Sequence, residues 1–160
     1  MNHETKEEEY TFFFSGVFSQ FHQCSFSDDK NRVFSCAEKY MMFEKAILFN
    51  DQKSADAIML TTTPKQAKRL GRKVLNFNQS VWDAKREDIV TQGNMYKFKQ
   101  NPTLLKMLLD TKQTTLVEAS PYDRIWGIGY RAHNATQNKQ NWGLNLLGKC
   151  LMTVREGLVN

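Results

Sequence analysis

The stretch Ser35-Cys-Ala-Glu-Lys-Tyr-Met-Met-Phe-Glu-Lys-Ala-Ile-Leu48 holds the clearest helix start in the chain. Ser35 followed by Glu38 has the spacing of a capping box, in which two side chains satisfy the free amides of the first turn. The apolar residues that follow recur at helical intervals as far as Leu48. The sequence therefore predicts an amphipathic helix here, and the rest of the fold can be placed around it.

Two charged residues fall on the apolar side of this predicted helix. At about 100° per residue, Glu38 and Lys45 lie within about 20° of each other, in a sector with Phe34, Met41 and Met42. Burial raises the pKa of a carboxyl and lowers the pKa of an amine, which suits a proton-transfer group and a nucleophile. The alternative is that both charges lie at the helix rim with their heads in water.

Cap residues, prolines and leucine spacing predict further helices, which begin near Asn50, Thr63, Ser80, Asn101 and Leu144. Gly71 is predicted to end the helix that starts at Thr63, and the helix that starts at Ser80 is predicted to run to Lys99.

Two segments have the composition of strands. Residues 10–18 are rich in aromatic side chains, and 114–119 are β-branched and alternate in polarity. Residues 19–33 are predicted to be loop. Residues 120–141 form a long connection rich in turn formers, and a connection of that length inside a compact domain is usually functional.

Length and composition limit the fold. A chain of 160 residues suits one domain, which excludes a TIM barrel or a two-domain dehydrogenase, and 41% hydrophobic with 24% charged residues is globular usage. We therefore predict an α+β fold, a predominantly helical single domain with a small β-sheet. The catalytic domain is expected over 10–160, after a flexible tail over 1–9.

Charge and cysteine content bear on partners and cofactors. The net charge is +5, and Lys65, Lys68, Arg69, Arg72 and Lys73 form a basic cluster, which is either an anion site or a solvated helix face. Three scattered histidines and three cysteines without CxxC spacing predict no metal and no cofactor. The acidic N-terminus and the lack of a long apolar stretch predict a soluble, cytoplasmic protein without a membrane partner.

Tryptophans and glycines mark a second candidate site. Trp126 lies inside Asp123-Arg-Ile-Trp-Gly-Ile-Gly129, where an exposed indole can stack on a base while glycine backbone amides approach phosphate or sugar oxygens. The turn Gly143-Leu-Asn145 before the last helix can aim free amides at an anion. The alternative is that Trp82 and Trp126 are ordinary core residues.

Several separated blocks, in order, resemble the NADAR family, in which the YbiA-type N-glycosidases form one branch. The resemblance covers about residues 10–158 and is carried by Ala37-Glu-Lys-Tyr-Met-Met-Phe-Glu-Lys-Ala46, Lys68-Arg-Leu-Gly-Arg72, Trp82, Lys97-Phe-Lys-Gln-Asn-Pro102, Leu116-Val-Glu-Ala-Ser-Pro-Tyr-Asp123, Ile125-Trp-Gly-Ile-Gly129, Asn145-Leu-Leu-Gly148 and Leu151-Met152.

The resemblance implies an enzyme that cleaves the bond between a base and a phosphorylated ribosyl group. Members whose motif is like Ala37–Ala46 are linked to ADP-ribose on guanine bases, so we expect an ADP-ribosyl-guanosine hydrolase that acts on nucleic acid and is functionally paired with a guanine ADP-ribosyltransferase. The alternatives are a YbiA-type enzyme that cleaves phosphoribosylaminopyrimidine intermediates of riboflavin biosynthesis, and a module that binds ADP-ribose or a nucleotide without cleaving it.

The resemblance also assigns roles to residues. Lys45 is expected to form an imine with the ribose while Glu38 moves protons, or else Glu38 activates water directly, and Asp123 is expected to orient a ribose hydroxyl or the water. The predicted substrate-binding residues are Tyr40, Arg72, Lys73, Trp82, Ser120, Arg124, Trp126, Gly127, Gly129 and Asn145.

An inserted segment and one substituted position depart from the YbiA-type pattern. Residues 131–141 are inserted before Trp142, and a longer loop there is expected to admit a larger substrate. Lys39 stands where YbiA-type members often have histidine, and it falls on the outer side of the helix wheel.

Overall fold

The computed structural model describes residues 8–159, and its helices and strands are numbered in chain order. The strands are β1 (Tyr10–Phe13), β2 (Phe26–Ser27), β3 (Val33–Phe34) and β4 (Thr115–Glu118). The helices are α1 (Ala37–Leu48), α2 (Gln52–Met59), α3 (Pro64–Gly71), α4 (Gln79–Lys99), α5 (Pro102–Leu109), α6 (Ala132–Ala135) and α7 (Leu146–Leu158), with a 3₁₀ helix over Thr136–Asn141. The predicted α+β fold is confirmed.

The strands form two small sheets. β1 pairs with β4 in parallel, with Tyr10 opposite Thr115 and Phe13 opposite Glu118. β2 and β3 pair antiparallel, with Phe26 opposite Phe34. The prediction of a loop over 19–33 is therefore wrong at β2 and the first residue of β3, and β1 is shorter than the strand predicted over 10–18.

Helix α1 lies at the centre of the domain. It packs against α2, α3 and α4, while α7 packs against α4 and β4. Its aromatic residues join those of the hairpin, since the ring of Phe34 lies 5.2 Å from that of Tyr40 and 5.7 Å from that of Phe43. A central helix enclosed on several sides carries its polar residues into the interior as well as its apolar ones.

The N-terminus of α1 differs from the predicted capping box. Cys36 is the N-cap, and its Sγ accepts a hydrogen bond from the backbone N–H of Lys39 at 3.4 Å. The backbone N–H of Glu38 donates to the carbonyl of Gln20 at 2.9 Å. The carboxyl of Glu38 is therefore not used as a cap and is available for another role.

Two glycines allow other elements to approach α1 closely. Gly71 is the last residue of α3 and packs on the side chain of Met42, where a Cβ atom would collide with the sulfur. Gly93 lies in α4, and a Cβ there would come within 2.5 Å of the ring of Tyr40. The prediction that Gly71 stops the helix beginning at Thr63 is confirmed, and its contact explains why this residue is small.

Residues 8 and 9, at the start of the described chain, are bound to the sheet of β1 and β4. The carboxylate of Glu8 accepts hydrogen bonds from Tyr10, Thr115 and Lys139, and the carbonyl of Glu9 accepts one from the N–H of Thr115 at 2.8 Å. The rest of the predicted tail, residues 1–7, lies outside the described residues. Over 8–159 no helix combines the length and the apolar character needed to cross a bilayer.

Candidate active site

A cavity of about 770 Å³ opens between α1, α3, the start of α4 and the loop that follows β4. That volume lies in the range typical of pockets for small ligands and cofactors. The predicted site residues that line the cavity are Glu38, Lys45, Arg72, Trp82, Ser120, Asp123 and Trp126. Residues more than 80 positions apart in sequence are thus brought to one place.

Glu38 lies in the first turn of α1 with only 7% of its surface exposed. Burial and the nearby charge of Asp123 raise the pKa of its carboxyl, which is about 7. Lys68 and Lys45 act in the opposite direction, because positive charges favour the carboxylate. Glu38 can therefore give or take a proton near neutral pH.

Lys45 lies two turns further along α1 and is half-buried. Its Nζ lies 4.8 Å from the centroid of the Phe77 ring and 5.5 Å from that of Trp82. Burial lowers the pKa of the amine and Arg72 lowers it further, while Glu38 raises it. Among residues 8–159 the Lys45 side chain forms no hydrogen bond or ion pair within 4 Å, so its nitrogen is free to react.

Glu118, the last residue of β4, is a second acidic group on the cavity wall, and the sequence did not predict it as a site residue. Burial, and after it the charges of Asp123 and Glu38, raise the pKa of its carboxyl to about 7. The sequence does carry one signal for this site residue, since Glu118 is an acidic residue at the end of a strand of apolar and β-branched residues.

The loop after β4 is shaped by side chains that bond its own backbone. Asp123 Oδ1 accepts hydrogen bonds from the N–H groups of Ile125 at 2.8 Å and Trp126 at 2.9 Å, which is an Asx turn. Ser120 Oγ accepts one from the N–H of Tyr122 at 3.3 Å. These bonds fix the turn that presents Trp126 to the cavity, and Asp123 Oδ2 is not used by them.

Basic residues from α3 reach the same cavity. Arg72 and Lys68 both line it, and Lys68 Nζ lies 5.7 Å from the ring centroid of Phe21. Lys68 was predicted only as part of a basic cluster. Two exposed cations at the mouth of a cavity are suited to bind phosphate groups.

Other predicted substrate-binding residues lie outside the cavity lining. The Tyr40 ring is buried between the rings of Phe34 and Tyr96. Lys73 lines a separate surface depression beside α2 and α3. The Arg124 guanidinium donates to the carbonyl of Asn141 at 2.6 Å, away from the cavity. In the structure, none of these three side chains lines the cavity.

Gly127, Gly129 and Asn145 also lie outside the cavity lining and serve the packing around it. A Cβ at Gly127 would come within 2.9 Å of the Glu118 carbonyl, and Gly129 has a φ of +81°, which glycine adopts easily. Asn145 Oδ1 accepts from the N–H of Glu118 at 3.0 Å, and its Nδ2 donates to the Leu116 carbonyl at 2.9 Å. Gly127 and Asn145 therefore help to hold β4 in place, while Gly129 packs against the side chain of Arg124.

The inserted segment 131–141 does not enlarge the cavity. It forms α6 and the 3₁₀ helix, and Trp142 after it packs against the rings of Tyr10 and Phe12. Its link to the site is a hydrogen bond from Arg131 to the hydroxyl of Tyr122 at 3.1 Å, since Tyr122 lines the cavity. The expectation that this loop admits a larger substrate is therefore not supported by its position.

No group of three or more His, Cys, Asp or Glu side chains within 8–159 is arranged to hold a metal ion. The chemistry available in the cavity is that of two carboxyls with raised pKa, one amine with lowered pKa, a basic mouth and aromatic walls.

Comparison with known proteins defines the class. The NMR structure of the E. coli protein YbiA superposes with a TM-score of 0.75 at 27% identity, over 96% of this chain and 87% of that one. An N-glycosidase of Acanthamoeba polyphaga mimivirus is 47% identical over 146 residues, which are 88% of this chain and 86% of that protein. The fold is that of YbiA. The chain is an N-glycosidase, a hydrolase of N-glycosyl bonds, as predicted.

The chain belongs to the NADAR domain family, whose model matches residues 6–159. A further relative is the chloroplastic riboflavin biosynthesis protein PYRR of Zea mays, 30% identical over 155 residues, which are 90% of this chain but 23% of that protein. The relatives that are named N-glycosidases do not favour the alternative of a module that binds without cleaving.

Proposed function

We propose that this N-glycosidase removes ADP-ribose from guanine bases by hydrolysing the bond between base and ribose. The observation that carries the proposal is the presence of Lys45 and Glu38 in one cavity, one with a lowered and the other with a raised pKa. The choice of substrate is supported by the motif over Ala37–Ala46, which resembles the NADAR branch linked to ADP-ribosylated guanine, and by a cavity large enough for a nucleotide.

The first step uses Lys45 as the nucleophile. Its neutral amine attacks C1′ of the ribose, and the bond between C1′ and the base breaks as the new C–N bond forms. The carboxylate of Glu38 takes the proton that the lysine nitrogen then loses. Because Lys45 is partly desolvated, a larger fraction of it is neutral at pH 7 than of an exposed lysine.

The second step opens the sugar and releases the enzyme. The C1′–O4′ bond breaks, O4′ takes the proton held by Glu38, and an imine forms between C1′ and Lys45. Water then adds to C1′, the C–N bond breaks, and the ribose closes again with the free amine restored. The net reaction consumes one water and yields base and free ADP-ribose.

The remaining wall residues fit the binding of such a substrate. The indoles of Trp82 and Trp126 provide flat surfaces on which the base stacks. Arg72 and Lys68 neutralise the phosphate groups at the mouth, and the free oxygen of Asp123 accepts a ribose hydroxyl. This activity would reverse that of a guanine ADP-ribosyltransferase, the functional partner expected for it.

The test is incubation of the protein with an ADP-ribosylated guanosine oligonucleotide and borohydride, followed by intact-mass measurement and analysis of the oligonucleotide. Restored guanine together with a covalent adduct on Lys45 is the expected result. Restored guanine without an adduct would favour direct activation of water by Glu38. Intact substrate after long incubation would contradict the proposal.

A second candidate substrate is a phosphoribosylaminopyrimidine of riboflavin biosynthesis. The relative named as a riboflavin biosynthesis protein favours it, and the same cavity residues would act on the smaller sugar phosphate. Competition between the two substrates ranks them by kcat/KM. A higher kcat/KM for the aminopyrimidine would replace the first proposal.

A further inference from the structure

The position of Glu118 is fixed by its backbone. Its N–H donates to the side chain of Asn145 at 3.0 Å, and its carbonyl accepts a hydrogen bond from the N–H of Ile128 at 3.0 Å. Gly127 lies so close to that carbonyl that a Cβ atom would be 2.9 Å from it. The main chain at the end of β4 is therefore held on three sides, and the carboxyl is the free part of the residue.

One oxygen of the Glu118 carboxyl is buried without a hydrogen-bonding partner among the described residues. Among residues 8–159, its Oε2 has no hydrogen-bond partner and almost no contact with solvent. The charged groups that face it are Asp123 and Glu38, which raise its pKa, and Lys68, which lowers it. A buried acceptor without a partner is destabilising, and a protonated or substrate-bound carboxyl reduces that cost.

The reaction proposed above needs a second proton-transfer group. When C1′ separates from the base, the base nitrogen must gain a proton, because guanine leaves poorly as an anion. Glu38 cannot supply that proton in the same step, since it accepts the proton lost by Lys45. A second acid on the wall of the cavity resolves this conflict.

We infer that Glu118 is the catalytic acid that protonates the leaving base, an inference that rests on the proposed N-glycosidase reaction. As the Lys45 nitrogen bonds to C1′, the proton on the Glu118 carboxyl moves to the base nitrogen, and the base leaves neutral. The carboxylate left behind takes a proton from the water that adds to the imine, which restores the starting state.

The test compares leaving groups that differ in their need for a proton. Glu118→Gln keeps the shape of the side chain but carries no acidic proton. With ADP-ribosylated guanosine, turnover by Glu118→Gln should fall by about 10²–10⁴-fold, the usual contribution of general acid catalysis. With a p-nitrophenyl riboside 5-phosphate, whose p-nitrophenolate leaves without a proton, the loss should stay below about tenfold.

Two further variants control this test. Glu38→Gln should slow both substrates, because Glu38 acts on the lysine and the ring oxygen and not on the leaving group. Glu44→Gln changes another α1 glutamate whose pKa burial raises; it lies outside the cavity beside Arg32, at 3.9 Å, and should leave turnover unchanged. Melting temperatures of all three variants show whether the fold is intact.

Each outcome bears on the inference. A selective loss on the guanine substrate supports it. Equal losses of Glu118→Gln on both substrates, or no loss on either, would overturn the role of Glu118 while the N-glycosidase activity of the wild type stands. A wild-type enzyme that releases no guanine from ADP-ribosylated guanosine would overturn the proposed function, and the role of Glu118 with it.

Discussion

Lys45 in α1 and Lys97 in α4 are both helical lysines withdrawn from water, but they are held in opposite ways. Lys97 is fully buried, and its Nζ donates to the carbonyls of Val17 at 2.7 Å and Ser19 at 3.2 Å. Lys45 is half-buried beside two aromatic rings, lines the cavity and has no acceptor of this kind among residues 8–159.

The difference separates a structural amine from a reactive one. The pKa of both lysines is lowered by burial, in Lys97 to about 8. The Lys97 nitrogen donates hydrogen bonds to two backbone carbonyls of the segment before β2, and Lys97 does not line the cavity that holds Lys45. A lowered pKa alone therefore does not identify a nucleophile, and access to a substrate and freedom from partners are also required.

The largest expected effect comes from Lys45→Met, which keeps the apolar stem and removes the amine. Turnover on ADP-ribosylated guanosine should fall by about 10⁴-fold or more, and borohydride should trap no adduct, because the nucleophile is gone. The melting temperature should not fall, since no hydrogen bond is lost. If turnover survives with the adduct absent, Lys45 has no covalent role, and it does not differ from Lys97 in reactivity.

Glu38→Gln should have the next largest effect, a decrease of about 10²–10⁴-fold in kcat from the loss of proton transfer. The amide keeps the size of the side chain, and removing a buried carboxyl with a raised pKa does not weaken the fold. Measurement of kcat and KM separately shows whether the loss lies in the chemical step. A change confined to KM would make Glu38 a binding residue.

Lys97→Met should lower the stability and leave turnover unchanged, whereas Lys45→Met should lower turnover and leave the stability unchanged. It leaves the carbonyls of Val17 and Ser19 without their donor, which should reduce the free energy of unfolding by about 3 kcal/mol and the melting temperature by roughly 6–12 °C. At a temperature where the variant stays folded, its turnover should match that of the wild type. Loss of turnover without loss of stability would show that Lys97 acts in the reaction.

The sequence predicted α1 to α5 and α7 because their signals are local, and it missed α6 and the 3₁₀ helix, which lie in the segment predicted as a connection. Thr63 with Gln66 forms a complete capping box at α3, and the side chain of Asn78 accepts from the N–H of Val81 at the start of α4. The hairpin of β2 and β3 has two residues in each strand, too few for a periodic pattern. Its pairing depends on the packing of Phe26 and Phe34 with α1, which no local signal records.

The site was only partly predictable for the same reason. The helix wheel places Glu38 and Lys45 together because one helix carries both. Glu118 reaches them through the packing of β4, which sequence spacing does not encode. Lys39 was placed on the outer side of the wheel, yet it is 7% exposed and its Nζ donates to the Thr61 carbonyl at 3.0 Å, because the loop after α2 covers that side of α1.

The smallest expected effect concerns the pH dependence of stability, which sharpens the contrast between the two lysines. The pKa of Lys97 is about 8 in the folded chain, where Cys24 and Cys36 partly offset the burial, against the ordinary value of 10.5. Between these values the unfolded chain keeps a proton that the folded chain has lost, so this lysine makes stability rise with pH.

Lys97→Met removes that titration, together with the lesser effect by which the Lys97 charge lowers the pKa of His22 and Cys24. The wild type should therefore gain about 1 kcal/mol in free energy of unfolding relative to Lys97→Met when the pH is raised from about 7 to about 9. Urea denaturation of both proteins at the two pH values measures this difference. A constant difference would mean that Lys97 keeps its proton throughout, held by the two carbonyls more strongly than burial opposes it.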